Sequence, residues 1–314
     1  MIERWAPVML VAGAVLFGGA AVVPPQTKPA GGDAWLSRPV DDRTYRTYLD
    51  FFAYDRQAPL DVKTTKNEEV EGVRVERLSY RSAAGMRVTA LLIQPGDAAV
   101  PKRGAVIFLH GGVAAAKDSP LVLAWASLLS RAGWTVLAID LLHFGERTTD
   151  MLTTFSEEEK HDRLYNQPGA YLAWVTQTVK DVSRGYDLLV SRGVDANRVA
   201  LAGFSRGGIL ASIVGAAETR LAGVALLFAA HFDALEHTHA AAACPANYIG
   251  RIAPRPLLMV NGVQDTDMIK DRAVEPLFRL ARQPKQIIWT DGGHGFWTDT
   301  HRGMLIQWLR EKIK

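Results

Sequence analysis

Ser205, Asp265 and His294 are residue types that together make an activated nucleophile, and each lies in a short, glycine-bearing or turn-forming stretch. Ser205 sits in "RVALAGFSRGG", residues 198 to 208, with Gly203 and Gly207 two positions to either side. A serine hydroxyl attacks a carbonyl only when a base takes its proton, and histidine is the usual base. A carboxylate then fixes the imidazole tautomer and stabilises its charged form. Of eight histidines, His294 in "TDGGHGFW" directly follows an apolar run and is flanked by Gly292, Gly293 and Gly295. Asp265 in "LLMVNGVQDTD" follows the apolar run before that one, with Asp267 as the fallback. The bland reading of the serine is an N-cap, common before helices, and the bland reading of either aspartate is a turn residue.

What weighs against those readings is where the elements fall. From about residue 72 the chain alternates short β-branched or aliphatic runs with longer stretches of helical period. Strands are expected at 73–80, 87–94, 104–110, 134–140, 198–203, 223–229, 256–262 and 285–290. The first two alternate apolar with polar residues, as an antiparallel edge hairpin does. The others are almost continuously apolar, as strands covered by helices on both faces should be. Stretches such as "SPLVLAWASLLSRAG", "TQTVKDVSRGYDLLVSRG" and "GGILASIVGAAE" carry apolar residues at helical spacing. The expected fold class is therefore α/β: an eight-stranded, mostly parallel, doubly wound sheet in one domain over 72–314. Residues 35–71, mixing aromatics, charges and prolines, form an ordered N-terminal extension. Functional groups in such sheets gather at the carboxyl ends of strands. Ser205, Asp265 and His294 follow the fifth, seventh and eighth expected strands in that order.

That order, with "FLHGG", "DLLHFGER", "SRGVDANRVALAGFSRGG" and "RIAPRPLLMVNGVQD", resembles the α/β-hydrolase superfamily over roughly residues 72–314. Within it the chain is similar to the branch of acetyl xylan esterases, dienelactone hydrolase-like proteins and the prolyl oligopeptidase catalytic domain. The resemblance implies ester or amide hydrolysis, with the backbone amides of Gly112 and Arg206 as oxyanion donors and His110 and Gly111 shaping the turn. The leading expectation is a serine carboxylesterase acting on a small-molecule ester, such as an acetylated carbohydrate, without a cofactor. A peptidase of the prolyl oligopeptidase type is the second reading, weakened by the short N-terminal extension. A hydrolase-fold binding protein without catalysis is the third.

Other features set bounds. A formal net charge of +3 without long basic runs gives no cationic face for nucleic acid. The single cysteine, Cys244, excludes an intramolecular disulfide. Residues 8 to 23 form an apolar run followed by a Pro/Gly/Ala-rich linker at 24–34. Three readings of residues 1–23 stay open: a cleaved signal peptide, giving a periplasmic or secreted protein, a membrane anchor, or a buried helix. His237 and His239 in "EHTH" lack a third ligand, so no metal is expected. "SEEEK", residues 156 to 160, reads as the solvated first turn of a helix capped by Ser156. Trp125, Trp134, Trp174 and Trp308 read as core. Phe144, Phe204, Phe232, Phe296 and Trp297 neighbour the catalytic turns, and Phe144, Phe232 and Phe296 are the expected substrate contacts. The role of the Arg206 side chain is not legible.

Overall fold

A computed structural model describes residues 34–314. The apolar run at 8–23 and the linker up to residue 33 lie outside the described residues. Within them a single nine-stranded sheet has the order β1, β2, β3, β5, β4, β6, β7, β8, β9. The strands are β1 Lys63–Val70, β2 Val73–Arg81, β3 Arg87–Pro95, β4 Gly104–Leu109, β5 Trp134–Ile139, β6 Val199–Phe204, β7 Gly223–Leu227, β8 Leu257–Gly262 and β9 Lys285–Thr290. β1, β2, β3 and β5 pair antiparallel in succession, and β5 through β9 pair parallel. The helices are α1 Ala34–Ser37, α2 Asp42–Leu49, α3 Pro120–Arg131, α4 Glu157–Lys160, α5 Pro168–Ser191, α6 Arg206–Ala217, α7 Glu275–Leu280 and α8 Asp299–Lys312.

The central strands are apolar throughout because both of their faces are covered. On β4, Ile107 and Leu109 point into one core with Val175 and Val179 of α5 and Ile209 and Ile213 of α6. Val106 and Phe108 point the other way, toward Val122, Trp125 and Leu129 of α3 and Leu305 and Trp308 of α8. That alternation is the period of two that a pleated strand imposes. All four tryptophans expected in the core are buried.

Two expectations need correction. The sheet has nine strands rather than eight: β1, "KTTKNEEV", is exposed along nearly its whole length and shows no apolar alternation. It pairs along β2, so the β2–β3 hairpin is not at the edge, and the sheet begins inside the segment read as an extension. The rest of that segment is tied to the domain by Val40 N–H donating to Asn247 Oδ1 at 3.0 Å and Tyr45 Oη donating to the Ala216 carbonyl at 3.2 Å. Among the described residues no helix is long and apolar enough to cross a membrane.

Candidate active site

β6 ends at Phe204, Ser205 makes the turn, and α6 starts at Arg206. Ser205 has φ 52° and ψ −121°, a backbone region that non-glycine residues rarely adopt. The turn closes so tightly that a Cβ on Gly203 would strike the Gly207 carbonyl, and one on Gly207 would strike the carbonyls of Leu109 and His110. The spacing of the two glycines is thus a steric requirement of the turn. Ser205 N–H donates to the Leu227 carbonyl at 2.8 Å, pinning the turn to β7. The serine makes no side-chain cap to α6. Its Oγ lies 2.9 Å from His294 Nε2 instead.

His294 follows β9, and its Nδ1 lies 2.8 Å from Asp265 Oδ2. A carboxylate only accepts, so Nδ1 carries the proton and Nε2 is left to take one from Ser205. Asp265, after β8, is fixed in turn: its Oδ1 accepts the backbone N–H groups of Asp267 and Met268, both at 2.9 Å. The Asp265 side chain is fully buried, whereas His294 keeps 22% of its side-chain surface. Phe204 and Phe228 pack against the imidazole with centroids 5.5 and 5.9 Å away. Asp267 lies near the imidazole, but the hydrogen bond goes to Asp265.

The "HGG" turn after β4 lies alongside the serine. A Cβ on Gly111 would be 3.3 Å from Ser205 Cβ, and one on Gly112 would be 3.9 Å from Arg206 Cβ. His110 is buried, donating from Nδ1 to the Gly111 carbonyl at 2.6 Å and accepting the Leu141 N–H on Nε2 at 3.0 Å. Burial lowers its pKa to about 4, so it is a neutral strut of the turn. Lys160 Nζ donates to the Gly112 carbonyl at 2.7 Å and pairs with Glu157 at 2.6 Å. Ser156 caps α4 and Glu157 and Glu158 are solvated as expected, but Lys160 is only 3% exposed and, with His161 at 4%, turns from the end of α4 toward the site.

The Arg206 side chain turns inward, with its guanidinium on Glu236 at 2.7 Å, on Asp233, and 3.7 Å from the Tyr165 ring centroid. His161 binds the Glu157 carbonyl through Nδ1 at 2.6 Å and Asp233 through Nε2 at 2.9 Å. Both partners only accept, so the ring carries two protons. Although burial opposes it, the Asp233 carboxylate raises the His161 pKa. His239 Nε2 meets Glu236 at 2.7 Å, which accounts for the "EHTH" pattern as part of this network. Two cations, Arg206 and His161, thus face two carboxylates directly behind Ser205.

A cavity of about 240 Å³ opens onto Ser205 and His294 and is walled by Gly112, Lys160, Tyr165, Phe204, Asp233 and Met268, among others. The three expected substrate phenylalanines are not in that wall. Phe144 is fully buried against His110, Phe155 and Trp174. Phe232 stacks on His231 and lines a separate small void. Phe296 is 48% exposed, outside the cavity. Each follows the end of a strand, β5, β7 or β9, but the chain carries its side chain away from the cavity. Lys160, Tyr165, Asp233 and Glu236 were missed, since nothing in their local pattern distinguishes them from a solvated helix turn or a polar loop.

A serine held at a strained strand-to-helix turn, with its carboxylate and histidine delivered by the last two strands of a mostly parallel sheet, defines the α/β-hydrolase class. Residues 52–236 match the family model described as "Acetyl xylan esterase (AXE1)". The chain belongs to the acetyl xylan esterase family and is a carboxylic-ester hydrolase of the serine type. Its fold is similar to that of acetyl xylan esterase 1 from Thermoanaerobacterium sp. (20% identity, 92% of this chain and 96% of that one, TM-score 0.63). An acetyl xylan esterase from Paenibacillus sp. R4 is comparably similar (18% identity, 92% and 96%, TM-score 0.64). A cold-adapted esterase from an Arctic intertidal metagenomic library matches at 18% identity, over 79% of this chain and 98% of that one, with TM-score 0.61. No curated protein matches the chain in sequence.

Proposed function

We propose that the chain is an exported serine esterase that removes small acyl groups, acetate foremost, from carbohydrate hydroxyls, with Ser205 as nucleophile, His294 as base and Asp265 as its orienting acid. The observation that carries this reading is the unbroken run of hydrogen bonds from Asp265 through His294 to the Ser205 hydroxyl. His294 takes the Ser205 proton as Oγ attacks the ester carbonyl, and the oxyanion of the tetrahedral intermediate falls to the backbone amides of Gly112 and Arg206. His294 then protonates the departing alcohol. Water, activated by the same imidazole, attacks the acyl-enzyme and releases the acid and Ser205. The role of the inward-turned Arg206 side chain is to hold its own amide in place. A cavity of about 240 Å³ is below the range for drug-sized ligands and suits a short acyl group. The acetyl xylan esterase family supports acetate as that group. Export rests on the apolar run at residues 8 to 23.

Ser205→Ala tests the assignment on a chromogenic acetyl ester. Turnover should fall by on the order of 10⁶-fold, the cost seen when a serine hydrolase loses its nucleophile. Turnover within tenfold of the parent would remove Ser205 from the mechanism.

A further inference from the structure

Tyr165 is 2% exposed, and its hydroxyl is wholly buried with no hydrogen-bond partner among the described residues. Buried polar groups are nearly always paired, so an orphan in a wall otherwise dense with bonds calls for an explanation. Its position supplies one. Tyr165 lines the cavity that contains Ser205. A Cβ on Gly112 would lie 2.9 Å from Tyr165 Oη and 3.9 Å from Arg206 Cβ. The phenol therefore stands over Gly112 on the side that faces Arg206, beside both residues whose amides are assigned to the oxyanion.

The ring cannot swing away. The Arg206 guanidinium lies 3.7 Å from one face, Trp174 stacks at 5.7 Å, and His161 meets it edge-on at 5.1 Å. The local backbone is built to bring it there. Residues His161–Tyr165 form a wide π turn, with Asn166 N–H donating to the His161 carbonyl at 2.9 Å. On a regular α-helix Lys160 and Tyr165 would point about 140° apart; here both line the cavity. π turns of this kind recur at functional sites. Burial raises the phenol pKa, so the group is a neutral O–H donor, and the cation beneath the ring withdraws electron density and strengthens that donor.

We propose that the Tyr165 hydroxyl is a third donor to the oxyanion formed when Ser205 attacks, alongside the Gly112 and Arg206 amides. This rests on the nucleophile assignment made above. The phenol keeps its proton throughout: it stabilises the charge that develops on the carbonyl oxygen and transfers nothing. A donor without a partner in the resting enzyme and with one in the transition state contributes to rate rather than to ground-state binding.

Tyr165→Phe separates this role from a structural one, because the deleted oxygen has no bond in the fold. For acetyl ester hydrolysis the proposal expects kcat to fall about 10–100-fold, KM to change less than threefold, and the melting temperature to stay level or rise. Affinity for an aryl trifluoromethyl ketone, whose serine adduct carries an oxyanion, should fall by a similar factor. A kcat within threefold of the parent, or a lowered melting temperature with an unchanged trifluoromethyl ketone affinity, overturns it. Ser205→Ala distinguishes the failures: an inactive Ser205→Ala with a fully active Tyr165→Phe refutes the phenol alone, whereas an active Ser205→Ala refutes the nucleophile and the phenol together.

Discussion

Replacing Arg206 by methionine keeps most of the side-chain volume and the backbone amide but removes the cation behind the elbow. Arg206 has 4% of its side chain exposed, Glu236 none and Asp233 12%. The four charges nearly cancel: Arg206 and the doubly protonated His161 against Asp233 and Glu236. The change leaves one excess negative charge in a largely buried site, and breaking a buried ion pair on one side costs about 3–5 kcal/mol. For a chain of this size a stability loss of 1 kcal/mol lowers the melting temperature by roughly 2 °C, so thermal unfolding should shift down by about 6–10 °C. Arg206→Lys should fall between the two, because an ammonium cannot bridge Glu236 and Asp233 while covering the Tyr165 ring. The double variant Arg206→Met with Glu236→Gln should be less destabilised than Arg206→Met alone, since it removes the charge left unpaired. A shift below about 2 °C for Arg206→Met, or a double variant worse than the sum of its singles, would refute the reading of Arg206 as the cation that holds the network together.

The choice between the two aspartates is open to direct test: Asp265→Asn should lower kcat by about 10⁴-fold by leaving His294 in the wrong tautomer, whereas Asp267→Asn should cost less than threefold, and the reverse result would exchange their roles. The pH dependence of stability follows from His110, whose pKa of about 4 lies below its unfolded value near 6.5. The unfolded chain binds the extra proton between those values, so stability should rise with pH from about 4 to 6.5, by up to roughly 3 kcal/mol from this group. His161, with its pKa raised, acts oppositely: its contribution is complete below about 6.5 and fades as pH climbs through the folded value. Urea unfolding of His110→Asn at pH 4.5 and 7 should therefore show a smaller acid loss than the parent, and an equal loss would rule out His110 as a source.

The legible part of the molecule was the part governed by local rules. Hydrophobic patterning gave β2 through β9 to within about two residues, because the central strands, covered on both faces, are apolar throughout and the β2–β3 hairpin alternates. β1 was invisible for the converse reason: an exposed edge strand of Lys, Thr, Asn and Glu carries no burial pattern, and only its pairing with β2 makes it a strand. Ser205 was separable from a helix cap because chain order and strand ends placed a base and an acid beside it. The substrate wall was not legible. Nearness to the strand ends of β5, β7 and β9 suggests Phe144, Phe232 and Phe296, but a side chain's direction after a strand end depends on the turn, which single residues do not encode. The Arg206 partners lie 27 and 30 residues away, in a loop whose only local signal is polarity.

The cavity wall and the elbow are one bonded unit. Its two sides come from different connections, residues 157–165 before α5 and residues 233–236 after β7, either of which would be a mobile flap if it touched only solvent and substrate. Instead Tyr165 rests on the Arg206 guanidinium, Asp233 and Glu236 take its hydrogen bonds, and His161 joins the first side to the second through Asp233. Lys160 adds a clamp on Gly112 from the same segment. Opening either side requires exposing or unpairing buried charges at Arg206, the residue after Ser205, which costs far more than thermal energy supplies. A pocket so fastened needs no closure of either connection to complete its wall.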